Sequence, residues 1–262
     1  MPSALLDEAL APLRANPVGA AILLDVDGTL APIVDDPAAA RVPDATRELL
    51  QALVSTYGAV ACVSGRRAAD ARALVAVDGI IYIGSHGGER IDLGSDVAVL
   101  DPRLLAGGRQ VAEFRDTLDT QALAYADVWI EDKGPITVFH WRAALDDQAA
   151  HSVLRDVASR AQAAGLAVQW GRKVMELRPP VEIDKGVAVY KLLEELALSA
   201  ALYAGDDVTD LDAFRALHAA PLAHAVCVGV ASSEQPAELA EVADLLVDGI
   251  EGMAEVLAAL VS

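Results

Sequence analysis

Short apolar runs that stop on small or acidic residues recur along this chain. "AAILLDVDG" (20–28), "GAVACVSGR" (58–66), "IIYIGSHGG" (80–88), "ALYAGDD" (201–207) and "HAVCVGV" (224–230) share the pattern. Each is apolar at successive positions and turns polar only near its carboxyl end. A strand that reads so is buried on both faces, as in a parallel sheet. Segments of helical period lie between them, such as 44–56 and 184–198. The βα alternation predicts an open α/β sheet, whose ligands sit at the carboxyl ends of the strands.

The pattern changes over 101–179. There it predicts a helix over 103–125, strands in 127–134 and 135–142, a helix over 146–164, and strands within 166–179. This is a separate α+β module inserted into an α/β chain. The core domain is expected over 1–100 and 180–262, with the module over 101–179. Trp129, Trp141 and Trp170 all fall in the module and are expected in its core. Residues 1–18 form a short helix on the core or serve a partner.

Charge narrows the function. Asp and Glu number 39 against 20 Lys and Arg, a formal net charge of −19. A nucleic-acid binder normally shows a basic stripe, so that class is excluded. A phosphate site on such an acidic protein needs local positive groups or a metal. Cys62 and Cys227 sit inside apolar runs and read as core residues, which fits a reducing compartment. No stretch is long and apolar enough for a membrane span and no secretory pattern opens the chain, so a cytoplasmic protein without a membrane partner is expected.

Asp25 and Asp27 stand one residue apart at the end of the first run. Two crowded carboxylates need a positive partner. Other strand ends and helix starts supply candidates: Ser64 in "VSGR", Lys185 in "EIDKGVAV", and Asp206, Asp207 and Asp210 in "GDDVTD". Carboxylates without His or Cys in those loops suit a hard cation, Mg²⁺ above all. The ammonium, the hydroxyl and backbone N–H groups suit a phosphoryl group.

DVDGT, a strand-end Ser, a Lys at a helix start and GDDxxD, in that order, resemble the haloacid dehalogenase superfamily. The resemblance implies a Rossmann-like core with an inserted α+β cap. It makes Asp25 the nucleophile that forms an aspartyl-phosphate, and Asp27 the general acid and then base. It places Mg²⁺ on the Asp25 carboxylate, the Asp27 carbonyl and Asp206. Ser64, with Gly65 beside it, and Lys185 hold phosphoryl oxygens. Arg66 binds phosphate or pairs with the acidic core. Asp207 and Asp210 position metal-bound water or Lys185.

"GSHGGE" (84–89), "IEDKGPITVFHWR" (130–142), "GRKVMELRP" (171–179) and "YAGDDVTDLDAF" (203–214) resemble the trehalose-6-phosphate phosphatases. The resemblance implies hydrolysis of trehalose 6-phosphate, a small sugar-phosphate partner, and a functional link to a trehalose-phosphate synthase. It places Glu131 and Glu176 on sugar hydroxyls, with Lys133, Arg172 and Lys173 as cap cations. One of the adjacent Arg172 and Lys173 faces inward. Of only four lysines, Lys133 and Lys173 fall in these cap motifs and Lys185 in the core motif. His86 and Glu89 touch the site or hold a loop. His140 and Arg142 pack against cap neighbours or meet substrate. Another sugar phosphate, a phosphomutase, or a catalytically silent sugar-phosphate binder are the alternatives.

Overall fold

The protein is described from a computed structural model, which covers residues 4–34, 39–171, 173–232 and 236–262. It divides into two compact units, Met1–Val99 with Ile183–Ser262, and Leu100–Glu182.

In the first unit the apolar runs form β1 (Ala20–Leu24), β2 (Ala59–Val63), β3 (Ile81–Gly84), β10 (Ala200–Gly205) and β11 (His224–Ala231). Every residue of β1, β2, β3 and β10 is buried. Successive side chains go to opposite faces. Ala20, Ile22 and Leu24 enter one apolar cluster, whereas Ala21 and Leu23 enter the other. That is why these strands show no polar alternation. The pairs β3–β2, β2–β1, β1–β10, β10–β11 and β11–β12 (Leu245–Asp248) are all parallel. β4 (Glu89–Ile91) runs antiparallel on β3, and β5 (Val99–Leu100) closes that edge.

Helices cover both faces. α1 (Ala4–Ala15) buries Leu6, Leu10 and Leu13, so this segment packs as a helix on the core. α2 (Asp44–Thr56), α3 (Ala68–Val75) and α10 (Gly249–Val261) share that face. α7 (Lys185–Leu196), α8 (Val208–Ala219) and the short α9 (Leu239–Val242) line the other. No helix among the described residues is long and apolar enough to cross a membrane.

The second unit holds a four-stranded antiparallel sheet, ordered β6 (Trp129–Asp132), β7 (Thr137–His140), β9 (Val174–Arg178), β8 (Ala167–Gly171). The helix expected over 103–125 is two: α4 (Pro102–Arg115) and α5 (Thr120–Tyr125). Asp119 divides them, because its side chain accepts from the N–H groups of Gln121 (3.0 Å) and Ala122 (3.1 Å) and caps a new helix. α6 (Asp147–Ala163) and α4 pack on the sheet face that carries Phe139, Met175 and Leu177. The tryptophans correct the expectation: Trp141 is buried, but Trp129 and Trp170 are 55% and 40% exposed. Trp129 instead stacks on His140, with ring centroids 4.1 Å apart.

Candidate active site

The carboxyl end of β1 breaks from the sheet into a tight loop. Asp25 N–H donates to Ala204 O (2.9 Å), and the Leu30 and Ala31 N–H groups both return to Val26 O (2.9 Å). Gly28 has φ +86°, and a Cβ there would lie 2.1 Å from Asp206 Oδ2. Only glycine lets the loop pass so close to the end of β10. Thr29 Oγ1 donates to Asp206 Oδ1 at 3.5 Å.

Lys185 stands in the first turn of α7, which Asp184 caps by accepting from Val187 N–H at 2.7 Å. A cation there opposes the helix dipole. Carboxylates hold it in place: Nζ donates to Asp25 Oδ1 and to Asp210 Oδ1, each at 2.7 Å. All three residues are buried. Asp210 Oδ1 also accepts from the Tyr203 hydroxyl (2.6 Å), and its Oδ2 accepts from the N–H groups of Asp206 (3.1 Å) and Asp207 (3.0 Å). Both oxygens of Asp210 are therefore spent on fixing Lys185, Tyr203 and the start of α8. Asp207 caps α8, its side chain accepting from Val208 N–H at 2.7 Å. Tyr203 and Thr29 were absent from the sequence-based set. A tyrosine inside an apolar strand run was the available signal, since a buried hydroxyl needs a partner.

Carboxylate oxygens of Asp25, Asp206 and Asp210 lie within 4.8 Å of one another. Lys185 brings one positive charge to three carboxylates. Burial holds Asp25 well above the usual carboxylate range, despite the pull of Lys185. Burial, then the charge of Asp210, pushes Asp206 up to about 7. Burial alone would lower Lys185, but Asp210 and Asp25 outweigh it and raise it. A buried cluster of oxygen donors that is short of positive charge fits a hard divalent cation. Asp25 and Asp206 keep the donor capacity that Asp210 has spent.

The Asp27 side chain lies apart from this triad. Arg66 grips it bidentately, Nε to Oδ2 and Nη2 to Oδ1, both at 2.7 Å. Of the three residues expected around the ion, Asp27 is thus the one whose carboxylate is engaged elsewhere. Ser64 Oγ accepts from Arg66 N–H (3.1 Å), while Ser64 O accepts from His86 N–H (3.0 Å). A Cβ at Gly65 would meet His86 Cε1 at 2.6 Å, so the missing side chain makes room for the imidazole. Ser85 and His86 both adopt the left-handed region, φ 51° and 54°, unusual for residues with a Cβ. Glu89 steadies that loop: its buried Oε1 accepts from Ala68 N–H (2.8 Å) and Ser85 Oγ (3.2 Å).

In the second unit the sheet face opposite α4 and α6 carries Trp129, Glu131, His140, Gln169, Glu176 and Arg178, as the strand register places them. Glu131 Oε2 lies 2.9 Å from His140 Nε2 and 3.8 Å from Lys133 Nζ. Arg178 Nη1 donates to Gln169 Oε1 at 2.6 Å. Among the described residues Glu176 Oε2 is buried with no hydrogen-bond partner. Lys173 sits in the turn between β8 and β9 with φ 59° and pairs with Asp147, which also accepts from Trp141 Nε1 (2.9 Å). Arg172 lies outside the described residues.

A largely parallel sheet interrupted by an α+β insertion is also the fold of a haloacid dehalogenase-like hydrolase from Bacteroides thetaiotaomicron, with TM-score 0.66 at 16% identity over 91% of this chain and 98% of that one. The chain belongs to the trehalose-phosphatase family, whose model matches residues 23–244. It is 38% identical to the trehalose-phosphate phosphatase of Mycolicibacterium paratuberculosis over 219 residues, which cover 77% of this chain and 52% of that protein. It is 36% identical over 211 residues to an uncharacterised glycosyl hydrolase of Mycobacterium tuberculosis, covering 75% of this chain and 15% of that one. The chain thus spans about half, or less, of these relatives. The C-terminal domain of the Candida albicans trehalose-6-phosphate phosphatase has the same fold, with TM-score 0.75 at 22% identity over 97% of this chain and 96% of that one.

Proposed function

We propose that this chain hydrolyses trehalose 6-phosphate to trehalose and phosphate with Mg²⁺ as cofactor. The observation that carries the reading is the buried triad of Asp25, Asp206 and Asp210 around Lys185, at the sheet end where α/β ligands bind. Family membership supplies the substrate class.

Asp25 attacks phosphorus through a carboxylate oxygen, and the bond from phosphorus to the sugar oxygen breaks. Asp27 delivers a proton to that leaving oxygen. Water then attacks the aspartyl-phosphate, Asp27 takes its proton, and Asp25 is released. Lys185 and Ser64 hold phosphoryl oxygens. Asp210 keeps Lys185 aimed at Asp25. Asp25 and Asp206, with the Asp27 carbonyl, would hold the ion, which when bound neutralises charge on the transferring group. Arg66 occupies both oxygens of Asp27, so proton transfer to or from that carboxylate requires the grip to loosen.

Residues 101–179 act as the cap that selects the sugar. Glu131 and Glu176 Oε2, which has no partner among the described residues, accept from hydroxyls, and Lys133 lies beside Glu131. Lys173, engaged by Asp147 in a turn, is the weaker candidate for substrate contact. A glycosyltransferase that makes the phosphorylated disaccharide, a trehalose-phosphate synthase, would supply the substrate. Retention of Asp25, Asp27 and Lys185 argues against a silent sugar-phosphate binder. Phosphate release from a panel of trehalose 6-phosphate, sucrose 6-phosphate, glucose 6-phosphate and mannosyl-3-phosphoglycerate tests the substrate. A clear preference for trehalose 6-phosphate is expected, and a preference for another ester would overturn the assignment of the cap residues.

A further inference from the structure

Two groups of three metal-ligating side chains lie close enough among the described residues to share an ion. One is the carboxylate triad. The other is His218, Cys227 and Asp244, and its chemistry differs: one imidazole, one thiol and one carboxylate. His218 lies in the last turn of α8, Cys227 in the middle of β11, and Asp244 directly before β12. A ring nitrogen, Sγ and a carboxylate oxygen of the three fall within 4.8 Å of one another.

The cluster is held by its own backbone. Asp244 N–H donates to Cys227 O (2.9 Å), while Asp244 Oδ2 accepts from Cys227 N–H (2.7 Å). This reciprocal pair fixes the carboxylate against the strand. The same Oδ2 lies 3.2 Å from His218 Nε2. The Cys227 thiol is buried and lies a long 3.8 Å from Phe214 O. His218 and Asp244 are partly open to solvent, which gives an ion a way in.

We propose that His218, Cys227 and Asp244 form a second metal site, selective for Zn²⁺ or another thiophilic divalent ion, with water completing the coordination. Nitrogen, sulfur and oxygen donors suit such an ion and do not suit Mg²⁺. Binding forms one bond to sulfur and releases the Cys227 proton to solvent, with His218 bound as neutral imidazole. No electron transfer is involved. The charges of thiolate and carboxylate balance that of the ion. The ion would tie the end of α8 to β11 and to the start of β12. The opposite end of that helix carries Asp210.

Co²⁺ is the probe, titrated into the metal-stripped chain with saturating Mg²⁺ present. The expected result is one equivalent bound with a thiolate-to-Co²⁺ charge-transfer band, displaced by Zn²⁺. Cys227→Ser should remove the band. His218 is partly exposed, so His218→Gln keeps the fold and should weaken Co²⁺ binding by about tenfold or more. Co²⁺ binding without the band, a band that survives Cys227→Ser, or unchanged affinity in His218→Gln would overturn the proposal.

Discussion

Lys185 Nζ donates to Asp25 Oδ1 at 2.7 Å across 160 residues of sequence, with both groups buried. The bond joins the carboxyl end of β1 to the first turn of α7. Lys185→Met would leave Asp25, Asp206 and Asp210 without their shared cation. Breaking such a buried pair costs about 3–5 kcal/mol. The variant should therefore be inactive and should melt well below the parent in calorimetry. Adding Mg²⁺ should restore part of the lost melting temperature, because a second cation then meets the same carboxylates.

Asp206 gives the metal-free protein a pH dependence. Its pKa is raised from 3.8 to about 7, so the native state binds a proton that the unfolded chain has already released. Stability without metal should fall as pH rises from about 4 to about 7, and level off above that. The stabilisation by Mg²⁺ should accordingly be larger at about pH 8 than at about pH 5.5. Melting curves with and without Mg²⁺ at both pH values check the sign.

Gly28→Ala introduces a Cβ 2.1 Å from Asp206 Oδ2 at a φ of +86°. The loop or the carboxylate must shift. A displacement of that size at a reacting centre costs about 10²-fold in rate. The fall should come with a weaker Mg²⁺ dependence, read from activity against Mg²⁺ concentration, while circular dichroism stays native.

Glu131→Ala separates the sugar from the chemistry. It should lower kcat/KM for trehalose 6-phosphate by roughly 10- to 100-fold, the range for a lost hydrogen bond to a charged group. Hydrolysis of p-nitrophenyl phosphate should hold, since that ester has no sugar for the cap to grip.

Both thiols are buried, and burial pushes Cys62 and Cys227 upward. Metal-free native protein should leave a disulfide reagent such as DTNB unreacted over minutes. Unfolding in guanidinium should release both thiols at once.

Much of this was legible in the sequence, for identifiable reasons. β1, β2, β3 and β10 are buried on both faces, so their apolar runs had no competing reading. α2 begins at Asp44 and α7 at Lys185, within a residue of where periodicity and the capping Asp184 place them. The break at Asp119 was missed because the helical period continues across it, and only the capping side chain marks a new start. Trp129 was misplaced because apolar character does not tell which sheet face a residue takes, and Trp170 because it shares the face of Met175 but stands on the edge strand β8. β4 and β5, and β12 at the opposite edge, carry too few residues for a pattern to show. Arg66 pairing with the acidic core was one of its two readings, but the choice of Asp27 as partner and the fit of His86 over Gly65 join residues from different strand ends, which no local pattern encodes.

The most direct measurement is product release from trehalose 6-phosphate with Mg²⁺, by the parent chain and by Asp25→Asn. The account predicts trehalose and phosphate in equal amounts from the parent, and neither from a folded Asp25→Asn protein. Equal rates from the two proteins, or no release from a folded parent, would contradict it.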